Sequence, residues 1–232
     1  RLNELYPGEP SQVVGVAFIA RDTSFYGCLD PSELSTLGKL VIEFPRYTAD
    51  QIKDILEQRA DEAFQPGAIS EGVLELISDI TVRPPINGDV RVALDLLLYA
   101  GNLAENLGCE SVVPDHVRRV RSETHPTINT QDILGLNETE KLILLGMARS
   151  LEGESEPYLT RREVCQAYAC ECEWLGIQPL QDIDEHIDDL CKKGIIEMKS
   201  LTKIGLLDVP AEGLRRLLNG LMERVEDDLK EK

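Results

Sequence analysis

Eight side chains between positions 161 and 203 have the types and spacing to meet a phosphate backbone and the base edges it carries. Arg161, Arg162, Lys192, Lys193, Lys199 and Lys203 supply cations, and Arg and Lys are the groups that neutralise phosphate and set register on a nucleic acid. Gln181 and His186 lie between them and have the planar donors and acceptors that can read a base edge. The same segment also carries Asp182, Asp184, Glu185, Asp188 and Asp189, which repel phosphate at short range. Two readings therefore stand: a local contact with nucleic acid through the eight, or an acidic face that docks a basic protein. Metal chemistry is not expected. The six cysteines, at 28, 109, 165, 170, 172 and 191, form no CxxC pair and have no histidine cluster beside them. Cys165 and Cys172 share a helix face and read as small buried hydrophobes. No catalytic residue is nominated. The chain shows no nucleophile elbow or glycine-rich phosphate cradle, which argues against a stand-alone metabolic enzyme.

The elements that must hold these side chains are legible from caps and periodicity. Asn137-Glu-Thr-Glu140 and Thr160-Arg-Arg-Glu163 are capping boxes, in which the first side chain and the glutamate satisfy each other's orphan N–H groups at a helix start. Leu142, Leu145 and Met147 follow the first at helical spacing, and Val164, Tyr168 and Leu175 the second; Gly176 stops it. Pro179 opens a third segment, Gln181 to Leu190, with Ile183, Ile187 and Leu190 as its apolar stripe. Ile195 to Met198 and Ile204 to Val209 read as two strands of a small ribbon joined by a polar turn. Pro210 opens a last helix with Leu214, Leu217, Leu218 and Leu221 inward. Three short helices followed by a ribbon are the order of a winged helix, which places its third helix in the major groove and its wing along the backbone. That domain is expected over 136–232.

Upstream, four helices read as a bundle over 47–121. The first is capped at Thr48-Ala-Asp-Gln51 and carries Ile52, Ile55, Leu56, Ala60 and Ala63. The second runs from about Ser70 to Ile80, the third is capped by Asp89, and the fourth opens near Pro114. A linker covers 122–135. Residues 1–46 read as the edge of an α/β layer, with buried strands at Gln12 to Phe18 and Leu40 to Phe44 around a helix begun by Pro31. Two strands and a helix are too few for a sheet of their own, so a preceding half of that layer is expected before Arg1. The fold class is thus mainly α, with a partial α/β edge, a four-helix bundle and a C-terminal winged helix. Forty-two acidic against 24 basic residues give a net charge of −18, which excludes a generally basic nucleic-acid coat. No apolar run approaches the ~20 residues that span a bilayer, and no signal-peptide layout opens the chain. A cytoplasmic, reduced location without membrane contact is expected.

The order of these parts resembles archaeal replication initiators of the origin-recognition and cell-division-control type, a branch of the AAA+ ATPases. The residues that carry the resemblance are Leu29-Asp-Pro31 with Ser35 and Leu37-Gly38, then Phe44-Pro-Arg-Tyr-Thr-Ala-Asp-Gln-Ile52 running on to Ala60, then Gly88-Asp-Val-Arg-Val-Ala-Leu-Asp-Leu-Leu97, with Glu140 to Leu145, Glu163-Val164 and Leu175-Gly176 behind them. The resemblance implies that 1–46 is the C-terminal edge of the ATPase core and 47–121 its lid. It implies that Arg91, with Asp89 at the helix start, is the second sensor that reaches nucleotide phosphates. It implies ATP or ADP with magnesium as cofactor of the full-length protein, double-stranded origin DNA as ligand, and the replicative helicase and other initiator subunits as partners. The family's phosphate-binding loop and acidic magnesium strand do not occur in these 232 residues, so ATP binding or hydrolysis by this stretch alone is not expected. Ser32 stands where the family has an arginine finger, and the first-sensor position falls near Phe18. The leading expectation is origin recognition and helicase loading through ATP-controlled winged-helix DNA binding. The alternative is a divergent paralogue whose acidic winged helix is a protein-interaction module.

Overall fold

Thr48, Asn129, Asn137 and Thr160 each accept a hydrogen bond from the backbone three residues on, while the side chain at that third position returns one to the cap. These four boxes start helices α2 (Ala49–Ala63), α6 (Thr130–Leu134), α7 (Glu138–Leu151) and α8 (Arg161–Trp174). In a computed structural model, residues 16–37, 41–124, 128–200 and 202–230 are described. They fall into two units, 1–45 and 46–232.

In the first unit Asp30 caps α1 (Pro31–Thr36) with a fifth box, and a 3-10 turn at Thr23–Cys28 precedes it. The two expected strands are not formed in their described parts. Val16 to Ala20 and Val41 to Pro45 have no regular structure and join no ladder, and Phe18 and Phe44 are 68% and 90% exposed. The remaining residues of both runs, 12–15 and 40, lie outside the described residues. An apolar run becomes a parallel strand only when neighbours pair with its backbone, and among the described residues of this unit there are none.

In the second unit α2, α3 (Glu71–Val82), α4 (Val90–Asn106) and α5 (Pro114–Thr124) make the expected bundle. Ile52, Leu56 and Ala60 form the inward stripe of α2, and Ala93, Leu96, Leu97 and Ala100 that of α4. Helix α3 is buried on nearly all sides, with Val73, Leu74, Leu76, Ile77 and Ile80 in the core. It is the central helix. Downstream, α7 and α8 pack so closely that a Cβ on Gly146 would sit 2.8 Å from the carbonyl carbon of Ala167. Helix α9 (Asp184–Lys192) buries Ile187 and Leu190, with Ile183 buried just before it. The sheet is antiparallel in the order β1 (Leu159–Thr160), β3 (Lys203–Leu206), β2 (Ile196–Met198). Helix α10 (Ala211–Lys230) closes the unit and lies against α7.

Three details differ from the sequence-based expectation. The stretch expected as linker contains α6, whose Ile133 is buried with the α7 and α8 core. The ribbon gains a third strand, β1, which pairs Leu159 with Ile204 and Thr160 with Lys203. The third helix starts at Asp184, three residues beyond Gln181, because Ile183 takes a non-helical backbone at the cap and Asp182 accepts from the Asp184 amide. Gln181 therefore lies in the loop before α9.

Candidate functional site

The turn before α4 is set by glycine. Gly88 has a φ of +85°, its N–H donates to the Thr81 carbonyl at 2.8 Å, and a Cβ there would stand 3.0 Å from the Tyr47 carbonyl oxygen. Only glycine fits both constraints. The turn delivers Asp89 to the N-cap of α4, where its Oδ1 accepts from the Arg91 amide at 3.1 Å and faces Arg91 Nε at 3.3 Å. The Arg91 side chain is 85% exposed and makes no other ion pair among the described residues. Its guanidinium is held at its inner edge and presents its outer edge to solvent, the arrangement that can fork onto an incoming phosphate.

The cations that could meet DNA are differently placed. Arg161, in the first turn of α8, pairs with Asp184 in the first turn of α9. Arg162 beside it is exposed and makes no ion pair among the described residues. His186 is half-buried on α9. Lys192 turns back to Asp189 at 2.8 Å. Lys193, at the end of α9, reaches Glu140 at 2.6 Å. That carboxylate is 1% exposed and also accepts from the Asn137 amide in the α7 capping box, so Lys193 balances a buried charge. Lys199 and Lys203, the ribbon lysines, point back at α3. The Lys199 ammonium lies 2.5 Å from Glu75 and 2.7 Å from Asp79, and that of Lys203 lies 2.9 Å from Glu75.

Around those lysines is a polar cluster that sequence reasoning did not find. The Tyr158 hydroxyl donates to Asp79 at 2.5 Å, and its ring is buried with the bundle core and lies under both ammonium groups at 5.2 and 5.8 Å. Arg83, at the C-cap of α3, pairs with Glu197 of β2. Arg118 of α5 is completely buried and donates to the carbonyls of Pro157 at 2.7 Å and Leu206 at 3.3 Å. Asp115 accepts from the amides of Ala211 and Glu212 at 2.5 and 3.2 Å, so a bundle residue caps α10. Burial raises the carboxyl of Glu197 above the ordinary glutamate value despite Arg83. At Glu75 burial pushes upward too, but Lys199 and Lys203 outweigh it and hold the group below its usual range. Burial opposes the charge on Lys199, and Asp79 and Glu75 more than offset it, so its pKa rises. No local motif announces these pairs; Glu75 and Lys199 are 124 positions apart.

Residues 53–122, which contain all of this bundle's inward face except the first turn of α2, match the family model of the Cdc6 AAA+ ATPase-type lid domain. The chain is 38% identical over 192 residues to the ORC1-type DNA replication protein of Pyrococcus abyssi, across 82% of this chain and 45% of that protein. The chain belongs to the archaeal Cdc6/Orc1 family. A second ORC1-type DNA replication protein, from Cenarchaeum symbiosum, is 38% identical over 168 residues, 72% of this chain and 40% of its own length. The crystal structure of Cdc6p from Pyrobaculum aerophilum is similar in fold, with a TM-score of 0.69 at 33% identity, covering 87% of this chain and 55% of that one. The chain thus spans about half the length of the relatives it matches. The Cdc6 lid accounts for α2 to α5 and for the Gly88–Arg91 turn. Among the described residues no cluster of three or more His, Cys, Asp or Glu side chains is arranged to hold a metal ion, and no helix is long and apolar enough to cross a membrane.

Proposed function

We propose that this chain is the lid and DNA-contacting part of an archaeal replication initiator, acting in origin recognition. The observation that carries the reading is the joint presence of a matched Cdc6 lid at 53–122 and, behind it, three helices and a three-stranded antiparallel sheet with Arg161 and Arg162 at the start of the second helix. Helices α7 to α9 with β1, β3 and β2 have the composition of a winged helix, in which α9 lies in the major groove and the ribbon follows the backbone. The domain limits that go with this are 1–46 for the edge of the ATPase core, 47–121 for the lid, 122–135 for the connection and 136–232 for the winged helix. Arg161, Arg162, Lys192, Lys193, Lys199 and Lys203 then serve phosphate, with Gln181 and His186 toward the bases.

In the full-length protein ATP or ADP with magnesium is the cofactor, and Arg91 is the lid residue that meets its phosphates. Bound nucleotide supplies a dense negative charge beside the lid. The chain's own contribution is to orient a permanently charged fork from the start of α4, with Asp89 restraining its inner edge. From there a short path leads to the ribbon: Arg83, eight residues before Arg91 in the chain, forms an ion pair with Glu197 of β2. This supports a lever in which the nucleotide state at Arg91 sets the angle of the DNA-contacting half. The helicase and other initiator subunits are the partners of that function, and a cytoplasmic location accompanies it.

Duplex binding by the full-length protein tests the reading. It should weaken with salt and fall when Arg161, Arg162, Lys199 and Lys203 are changed to alanine, with the salt slope reduced by about one per lost phosphate contact. A second reading is favoured by the exposed acidic face of α9, Asp184, Glu185 and Asp188. There α9 docks a basic surface of another replication protein. Undetectable duplex binding together with retained affinity for such a protein selects it.

A further inference from the structure

We propose that Glu75 and Asp79 of α3 stand in for nucleic-acid phosphates, holding Lys199 and Lys203 in an autoinhibited position from which duplex DNA must compete them away. The inference rests on the duplex-binding reading above and deepens it. Two carboxylates bracket two ammonium groups at 2.5, 2.7 and 2.9 Å, the separations that the same lysines would make with backbone oxygens. The acidic side is rigid: it stands on the buried central helix, and the Tyr158 hydroxyl orients Asp79. The basic side is not. Lys199 and Lys203 flank the ribbon turn, where the Lys199 amide donates to the Lys203 carbonyl, and their side chains remain 28% and 45% exposed.

The Lys203–Glu75 pair, with side chains 45% and 21% exposed, is the most open of these contacts and costs the least to break, because water reaches both groups on release. Lys199–Asp79, at 28% and 11%, is as enclosed as the Arg83–Glu197 pair at the base of the ribbon. Glu197 is anchored to Arg83 and mostly buried, and a buried pair resists separation far more strongly. Lys203 can therefore leave Glu75 first by rotating its flexible stem while β2 stays in place, and Lys199 follows only where phosphate replaces its carboxylates. An acidic chain with a net charge of −18 gains specificity from such a contact, since weak encounters with DNA do not repay the lost pairs.

The test measures binding of a fluorescent duplex to the full-length protein across a salt series. Glu75→Gln should tighten binding roughly three- to tenfold and steepen the logarithmic salt dependence by up to about two. Asp61→Asn, an exposed α2 position with the same charge change, should do neither. Adding Lys199→Gln and Lys203→Gln to Glu75→Gln should abolish the gain. Hydrogen exchange without DNA should show the Lys199 amide exchanging faster in Glu75→Gln while α3 stays protected, which verifies that the variant is folded. If Glu75→Gln matches Asp61→Asn while the double lysine variant still weakens binding, the lysines already reach DNA and the autoinhibition is overturned, with the duplex reading intact. If neither wild type nor any variant binds duplex, the duplex reading itself fails and takes the inference with it.

Discussion

Arg118 ties the helical bundle to the segment around the sheet. Its guanidinium is fully buried, lies 3.7 Å from Asp115 through Nη1, and donates to two carbonyls from the segment around the sheet. Burial pushes its pKa below the usual arginine value, and its fork reaches both carbonyls at once. Arg118→Ala should therefore destabilise by about 3–5 kcal/mol, because it leaves the buried Pro157 and Leu206 carbonyls unpartnered and opens a cavity; urea unfolding monitored by circular dichroism measures this. Arg91 is the opposite case. Its exposed guanidinium contributes almost nothing to the core, so Arg91→Ala should change stability by less than about 0.5 kcal/mol while altering the nucleotide response of the full-length protein. An unchanged response with an intact fold would remove the sensor assignment. The two arginines were indistinguishable by type; burial separates them.

At the scale of elements, the capping boxes carry most of what local sequence can specify. Thr160→Ala removes the acceptor for the Glu163 amide and should cost about 1 kcal/mol, with the loss confined to α8 in hydrogen exchange. Gly72 tests a different property. A Cβ there would lie 2.2 Å from the Ser155 carbonyl oxygen and 2.8 Å from Pro157 Cδ, so Gly72→Ala cannot be accommodated without moving α3 away from the segment that leads into β1. It should destabilise more than Thr160→Ala, and the exchange of Lys199 and Lys203 amides should rise with it. Elements with caps or an unbroken stripe, α2, α3, α4, α7 and α8, were legible in the sequence to within a few residues. Helix α6 was missed although Asn129 to Asp132 is itself a capping box; its brevity and the nearby His125-Pro126 made the stretch read as linker. Strand β1 is only two residues long, and no periodicity can be read from two residues.

At the scale of the molecule, the cluster between α3 and the ribbon makes stability depend on acid. Glu75 has a folded-state pKa below its ordinary value of 4.5, so its contribution is fully present above that value and is lost as pH falls through the lower folded value. Glu197 is raised from 4.5 and acts in the opposite sense: its contribution is present below 4.5 and is lost as pH rises through the raised value. Urea midpoints of Glu75→Gln should therefore decline less than wild type on acidification below 4.5. A parallel decline in both proteins would show that Glu75 is not held by the lysines in solution.

The amino-acid sequence by itself determined the longer helices, the starts of those with capping boxes other than α6, the order of bundle and ribbon, and the family resemblance, because caps and apolar stripes act within a few residues of one another. It also nominated the cations. Only the tertiary structure decided which of them are already engaged. Lys199, Lys203 and Lys193 meet carboxylates that lie 53 to 128 positions away, and Tyr158 enters the core of a bundle that ends more than thirty residues before it. Such pairings follow from how α3 and α5 pack against the ribbon, and packing between distant segments leaves no periodic trace in the chain.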